Sequence, residues 1–334
     1  MRAVRVLEPG PPESLRSAPV PVPVRRPGEI TVAVHATSVN PIDLRVRNLP
    51  SFMVARNKIL GGDIAGTVEE CDPLSQFRKG DRVFGMGAFY SPIFAAGAYA
   101  EKVCINEKHM ALIPDAVSFE QAAATPLVAL TAWQALKGAN VGPGQRVLIH
   151  AGSGGVGHVA IQFAKSRGAH VTTTCSADSA AFVRSLGADE VIDYRTQRFE
   201  DACQREGPFD FILDVIGGEY EKRSLAVCKR KGTYAHIFSA GWALHHGMSM
   251  GKGVAWETWE ALQGYARSFW SGPRYKLVLV QPSGHDMTAI ARLMKERRLT
   301  AAVDRSFPLE SAGAAHRHLE SGHPKGKVVI KVLD

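Results

Sequence analysis

The chain has 334 residues, of which 45% are hydrophobic and 22% charged, a balance that suits a globular protein rather than a disordered one. At roughly 150 residues per domain the length points to two domains. No apolar run reaches the roughly 18 residues that a spanning helix needs, which excludes an integral membrane protein, and 40 basic against 32 acidic residues give a net charge of +8 without a concentrated basic stripe, so a dedicated nucleic-acid binder is not expected and RNA binding is only a minor option.

An excess of this size also suits an anionic membrane surface or a phosphate-bearing ligand. The five cysteines (Cys71, Cys104, Cys175, Cys203, Cys228) are widely spaced and form no CxxC pair. Neither a disulfide framework nor a zinc knuckle is expected, which implies a reducing, intracellular compartment. The opening Met1-Arg-Ala-Val-Arg-Val-Leu reads as a strand, because the apolar core of a signal peptide is absent.

Residues 1–120 are β-rich, with short β-branched runs at 30–34, 67–68, 82–84 and 99–105 set between Gly, Pro and Asp turns. The Pro-rich stretch 19–27 reads as an extended edge. From 118 to 137 the pattern turns helical behind the cap signal Ser118-Phe-Glu-Gln. Strands at 146–150, 170–174, 190–193, 209–214 and 233–238 then alternate with helices at 156–166, 177–186 and 219–229. That alternation predicts a doubly wound parallel sheet. A helix at 311–320 and a strand at 327–332 lack a core of their own and are expected to complete the first domain. The fold class is α/β, with a β-rich domain over 1–120 and 300–334 and a Rossmann domain over 121–299.

The motif Gly152-x-Gly154-x-x-Gly157 directly follows an apolar strand and opens an apolar helix. Gly152 allows the tight turn, Gly154 clears the approach of a pyrophosphate, and Gly157 lets helix and strand pack closely. The helix N-terminus then offers N–H groups and positive dipole to the phosphates. The second strand ends Thr172-Thr173-Thr174-Cys175-Ser176, with no acid to accept the ribose hydroxyls of NADH. Ser176 can donate to a 2′-phosphate, with Arg184 and Tyr194 approaching from the next helix and strand, so NADPH is the expected cofactor. Ser176 equally reads as the cap of the helix at 177–186.

Gly80-Asp-Arg-Val83, Leu130-Thr-Ala132, the glycine loop and Leu186-Gly-Ala-Asp189 resemble the medium-chain dehydrogenase/reductase superfamily over nearly the whole chain. In its zinc enzymes a Cys, a Gly-His-Glu motif and a four-Cys lobe hold metal. Here Asn40 stands at the Cys position, Gly61-Gly62-Asp63 replaces Gly-His-Glu, and the lobe is missing. A catalytic zinc then has too few ligands, and none is expected. Val39-Asn-Pro-Ile-Asp43, Asp193-Tyr194, Phe209-Asp-Phe-Ile-Leu-Asp214 and Gly326-Lys327 resemble the zinc-free quinone oxidoreductase branch, related to ζ-crystallin, with mitochondrial and chloroplast members.

That resemblance implies a GroES-like domain joined to the Rossmann domain, with NADPH in the cleft between them. It implies Ser153, Gly154, Gly155, Val156, Gly157, Ser176, Tyr194, Lys325 and Gly326 on the cofactor, and Thr131 beside the nicotinamide. Two departures stand out: Ser179 occupies the place of a common phosphate-pairing Lys, and Arg45-Val46-Arg47 replaces a common Tyr. The implied reaction is hydride transfer from NADPH to a quinone or an α,β-unsaturated carbonyl. Negative charge then develops on oxygen, and Asn40, Arg45 and Thr131 are the candidate donors. Asn40 also reads as a turn residue before Pro41, Arg45 as a solvated surface arginine, and solvent can supply the proton. A protein that binds NADPH with little turnover, as a homodimer or a monomer, is the alternative from another class.

In 242–275, Trp256, Trp259, Leu262, Tyr265, Phe269 and Trp270 recur at helical steps. This face suits core or dimer packing, a lid over an apolar acceptor, or peripheral contact with a membrane beside Lys252, Arg267, Arg274 and Lys276. His245-His246 reads as a surface loop.

Overall fold

The computed structural model describes residues 1–50, 52, 57–87, 97–139, 141–237, 255, 258–259, 262–266, 268, 272–322 and 324–333. In chain order the elements are β1 (Arg2–Val6), β2 (Leu15–Pro19), β3 (Glu29–Val39), α1 (Pro41–Arg47), β4 (Lys58–Ile59), β5 (Asp63–Glu70), β6 (Arg82–Met86), β7 (Lys102–Asn106), β8 (Met110–Leu112), α2 (Phe119–Ala123) and α3 (Pro126–Leu136). There follow β9 (Arg146–Ile149), α4 (Gly155–Ser166), β10 (His170–Cys175), α5 (Ala180–Ser185), β11 (Glu190–Asp193), α6 (Phe199–Glu206), β12 (Phe209–Asp214), α7 (Glu219–Val227) and β13 (Cys228–Ile237). The chain closes with β14 (Arg274–Val278), α8 (Gly284–Lys295), β15 (Val303–Pro308), α9 (Ala312–Glu320) and β16 (Lys327–Lys331).

Two compact units result, Met1–Leu130 with Gln281–Asp334, and Thr131–Val280. Relative to expected bounds at 120 and 300, the first unit also takes in 121–130 and 281–299. The physical reason at the second bound is α8, which packs on β8: a Cβ on Gly284 would stand 2.5 Å from the Met110 carbonyl oxygen.

The first unit is built on a sheet ordered β15-β16-β3-β5-β6-β8, with β7 also pairing β3. β16 lies antiparallel to β3, Val328 opposite Val39, so the last strand takes an inner place, between β15 and β3, in a sheet whose β3 lies far back in the chain. A smaller sheet, β2-β1-β4, stands beside it.

In the second unit β11-β10-β9-β12-β13-β14 form one sheet, parallel at every pairing. Its inner strands are buried along their length, as in β9 (Val147, Leu148, Ile149) and β12 (Phe211, Ile212, Leu213). That is the pattern of strands covered on both faces. The strand order reverses between β9 and β12, which creates a topological switch point at their carboxyl ends.

Two helices differ from the sequence expectation. The single helix over 118–137 is two, α2 and α3, because Pro126 has no N–H to continue α2 and instead opens α3, where that loss is harmless. The helix over 177–186 is a short 3-10 turn, Ala177–Ser179, followed by α5.

Candidate functional site

At the switch point β9 runs into the glycine loop and α4. Ala151 takes a left-handed backbone, φ 51°, and is held there by β10: the Thr174 hydroxyl accepts its N–H at 3.1 Å, and the Thr174 carbonyl accepts Gly152 N–H at 2.9 Å. A Cβ on Gly152 would meet Thr173 Oγ1 at 2.0 Å, and one on Gly157 would meet the Ala151 carbonyl at 2.2 Å. These two glycines are demanded by packing. A Cβ on Gly154 would meet a single atom within 4 Å, the Ala151 carbonyl oxygen at a tight 3.3 Å, so this position is less crowded than the other two. Gly154 is the N-cap of α4, a helix of 12 residues. The N–H groups of Gly155, Val156 and Gly157 open that helix, where intrahelical acceptors are lacking and the dipole is positive. Ser153, Gly154, Gly155 and Val156 are half-buried at this end.

Beneath the loop lies a polar floor. His150 is fully buried, bonded to Ser224 Oγ at 2.9 Å and Thr174 Oγ1 at 3.3 Å, and burial pushes its pKa down to about 4. Asp214, at the end of β12, accepts from the N–H groups of Ile216 and Gly217 at 2.8 and 2.9 Å and from the Tyr234 hydroxyl at 2.6 Å. These buried partners fix the two turns that flank the switch point.

Ser176 follows β10 directly. It makes no side-chain cap bond; its hydroxyl instead donates to Ser179 Oγ at 3.4 Å. The expected cap is therefore not formed, because the chain enters a 3-10 turn rather than an α-helix. Tyr194, half exposed, lies alongside: its N–H donates to the Cys175 carbonyl at 3.2 Å. The Arg195 guanidinium stands 5.8 Å from the centre of the Tyr194 ring. Ser176, Tyr194 and Arg195 thus share the carboxyl ends of β10 and β11, with a hydroxyl in the place of an acid. Arg184 is exposed on α5. Arg195 escaped the sequence reading, although Asp193-Tyr194-Arg195 was its signal.

In the first unit, Asn40 is fully buried at the N-cap of α1. Its Nδ2 donates to Asp63 Oδ2 at 2.7 Å, and its Oδ1 accepts from the Lys327 ammonium. Asp63 also accepts from Ser38 Oγ and, at 2.7 Å, from Leu127 N–H in the first turn of α3, where a carboxylate suits the helix dipole. Asp43 accepts from the N–H groups of Asn40 and Gly61 at 2.9 and 3.0 Å. Burial raises its pKa to about 6 against those two bonds. Burial likewise lowers Lys58 to about 8, with Asp43 opposing.

Arg45 is half-buried on α1, and Thr131 is buried on α3 at the start of the second unit. Lys325 is exposed, with its N–H on Asp304 Oδ1 at 3.0 Å. Gly326, at φ 91°, would clash with the Ala302 carbonyl if it bore a Cβ, so packing accounts for it. Of the aromatic face, Trp259, Leu262 and Tyr265 are exposed on helical backbone, and Gly264 backs onto Tyr275. Trp242, Trp256, Phe269, Trp270, Lys252, Arg267 and His245-His246 lie outside the described residues.

Residues 26–115 match the family model of the alcohol dehydrogenase GroES-like domain, and 186–330 that of the zinc-binding dehydrogenase. The chain is 33% identical to mitochondrial NAD(P)H oxidoreductase RTN4IP1 of Homo sapiens, over 93% of this chain and 83% of that protein. Among solved structures it is similar to the quinone oxidoreductase from Coxiella burnetii (33% identity, TM-score 0.83, 99% of both chains). It is also similar to the Escherichia coli quinone oxidoreductase complexed with NADPH (25% identity, TM-score 0.79, 99% and 100%).

A zinc ion does not fit the residues that stand at the metal positions of the zinc enzymes. The Asn40 oxygen carries the Lys327 ammonium, Gly62 has no side chain, and Asp63 is already taken by neighbouring donors. Among the described residues no other group of His, Cys, Asp and Glu makes a metal site. The paired domains, the glycine loop at the switch point and the relatives agree: the chain belongs to the medium-chain dehydrogenase/reductase superfamily of oxidoreductases, in its quinone oxidoreductase branch.

Proposed function

We propose that this protein is an NADPH-dependent reductase of small conjugated carbonyl compounds, quinones or α,β-unsaturated carbonyls, working without zinc in an intracellular compartment such as that of its mitochondrial relative. One observation carries the cofactor assignment. Gly154, N-cap of α4 and the least crowded glycine of the loop, lies in the same unit as an edge where Ser176 and Arg195 stand in place of the acid of an NADH site. The α4 N–H groups would hold the pyrophosphate, and Ser176, Tyr194 and Arg195 the 2′-phosphate.

When bound, NADPH supplies the hydride. The chain's own residues orient the dinucleotide and stabilise charge on the acceptor oxygen. Asn40, Thr131 and Arg45 are the candidate donors to that oxygen. Water is a sufficient proton source for the product.

The test is oxidation of NADPH with 9,10-phenanthrenequinone, a short-chain ubiquinone and an alkenal, with NADH as control. Turnover that prefers NADPH is expected, and the preferred acceptor decides between quinone and enone. If no acceptor is reduced while NADPH still raises the melting temperature, the protein is a nucleotide-binding protein instead.

A further inference from the structure

The first unit carries a cleft for which the cofactor reading has no use. It lies where α8 packs on β8 and on the 3-10 turn Glu107–His109, has a volume of about 720 Å³, and is lined by residues of that unit alone. A volume of this order suits a small organic molecule rather than a bare ion.

One wall is a single face of α8, with His285, Thr288 and Arg292 at steps of three and four residues. Lys108, Met110 and Gln76 form the facing wall. Gly284 brings the two together. A Cβ there would stand 2.5 Å from the Met110 carbonyl oxygen and 2.7 Å from that of Lys108, so only glycine lets the first turn of α8 approach this backbone so closely.

Fixed charge in the cleft has one sign. Lys108 and Arg292 are exposed, and no Asp or Glu is among the lining residues. Lys108 has no ion pair among the described residues. Arg292 Nε stands 3.9 Å from Glu296, whose other oxygen faces Arg298 at 3.2 Å. Of the remaining acids on these elements, Glu107 accepts from the Ser75 hydroxyl, and Asp286 is buried, 3.5 Å from His285 Nδ1. The positive end of α8 adds to the field. The Ser283 cap takes the N–H of Asp286 and not those of Gly284 and His285. Gln76 Nε2 gives one hydrogen to the Glu107 carbonyl at 3.3 Å and keeps a second. The Thr288 hydroxyl is spent on the Gly284 carbonyl at 2.8 Å. Met110 and Ala289 supply apolar surface.

We propose that this cleft binds a small soluble phosphomonoester. Two permanent cations without a lining acid match a dianionic head, which the Arg292 fork and the Lys108 ammonium hold between them. Met110 and Ala289 take the apolar body of the ester. The inference is independent of the reductase reading, because the glycine loop belongs to the second unit.

The probe is 1-naphthyl phosphate, titrated calorimetrically into the full-length protein saturated with NADP⁺, so that the glycine loop is occupied. Low ionic strength is needed, since salt screens exposed cations. One molecule should bind per chain, and inorganic phosphate and 1-naphthol each at least about tenfold more weakly. Lys108→Met and Arg292→Met should each raise the Kd about tenfold, the loss of one charge-assisted contact, and the double variant should bind none measurably. Lys295→Met, exposed on α8 but outside the lining, should keep the wild-type Kd. All these side chains are exposed, so the melting temperatures should stay near wild type.

No binding by the wild-type protein, or binding that survives in the double variant, overturns the proposal. So does an equal loss in Lys295→Met, which would mark diffuse surface charge, or inorganic phosphate that binds as tightly as the ester. Tighter binding to vesicles carrying phosphatidic acid than to the probe would overturn it in favour of a lipid surface. If the protein takes up no NADP⁺, the proposed function fails, while probe binding lost in the double variant still sustains this site.

Discussion

The glycines of the loop separate two demands that a motif merges. Gly157 is required by the fold, since its Cβ would press on the Ala151 carbonyl at 2.2 Å. At Gly154 a Cβ would meet only the Ala151 carbonyl oxygen, at a tight 3.3 Å. Gly157→Ala should therefore lower the melting temperature, at a cost of roughly 1–3 kcal/mol for the forced shift. Gly154→Ala should lower the melting temperature less than Gly157→Ala does and weaken NADPH binding, read by titration calorimetry. Equal NADPH affinity in folded Gly154→Ala would place the nucleotide elsewhere. Ser176→Asp tests cofactor choice in the same way. A carboxylate after β10 repels a 2′-phosphate and accepts ribose hydroxyls, so the ratio of NADPH to NADH turnover should fall at least about tenfold, roughly 1.4 kcal/mol. An unchanged ratio removes Ser176 from the phosphate site.

At the scale of elements, a buried arginine ties α1 to α9. Arg47, 2% exposed, donates to the Gly10 carbonyl and to Glu320, and shares a 2.9 Å bond with His316 Nδ1, whose Nε2 meets the Tyr99 hydroxyl at 3.0 Å. Arg47→Met would leave the Gly10 oxygen and His316 Nδ1 without their partner, and should cost roughly 3 kcal/mol. In urea the midpoint should drop with the slope unchanged. Glu320→Gln should cost far less, because that carboxylate is 34% exposed. Elements like these also show what the sequence made legible. Continuous apolar runs announced β9 and β12, whereas α1 and α6 are too short, at 7 and 8 residues, to display a helical period. The helix α8 did carry a signal, since Ser283 accepts from Asp286 N–H as a cap ahead of buried Met287, Ile290 and Met294. The glycine loop was legible because its parts are contiguous. Lys327 was not, because its bonds reach 287 and 288 residues back along the chain, a pairing that only the β16–β3 register creates.

Over the whole molecule, buried titratable groups set a distinct acid response for each unit. Burial holds His150 of the second unit at a pKa of about 4, and burial with the Arg47 charge holds His316 of the first at about 3. Each is neutral in the fold but takes a proton near 6.5 once unfolded. Their contribution to stability is therefore full above pH 6.5 and is lost as pH falls toward 4. Asp43, in the first unit, has the opposite sign. Its folded pKa of about 6 lies above the unfolded 3.8, so the fold holds a proton that the unfolded chain releases, and stability rises as pH falls from 6 to 4. Each such proton changes stability by about 1.4 kcal/mol per pH unit. In the first unit Asp43 opposes His316 and the half-buried His109, which burial also lowers; in the second the His150 slope stands unopposed, and Glu200, held down to about 2 by its bond to Arg223, adds to it below about 4.5. The second unit should therefore loosen first between pH 6 and 4. All five tryptophans fall within it, so their fluorescence should change before β3 and β16 amides of the first unit gain hydrogen exchange. Simultaneous change in both would show that the two units share one acid transition, and that the charges of His150 and Asp43 do not set it.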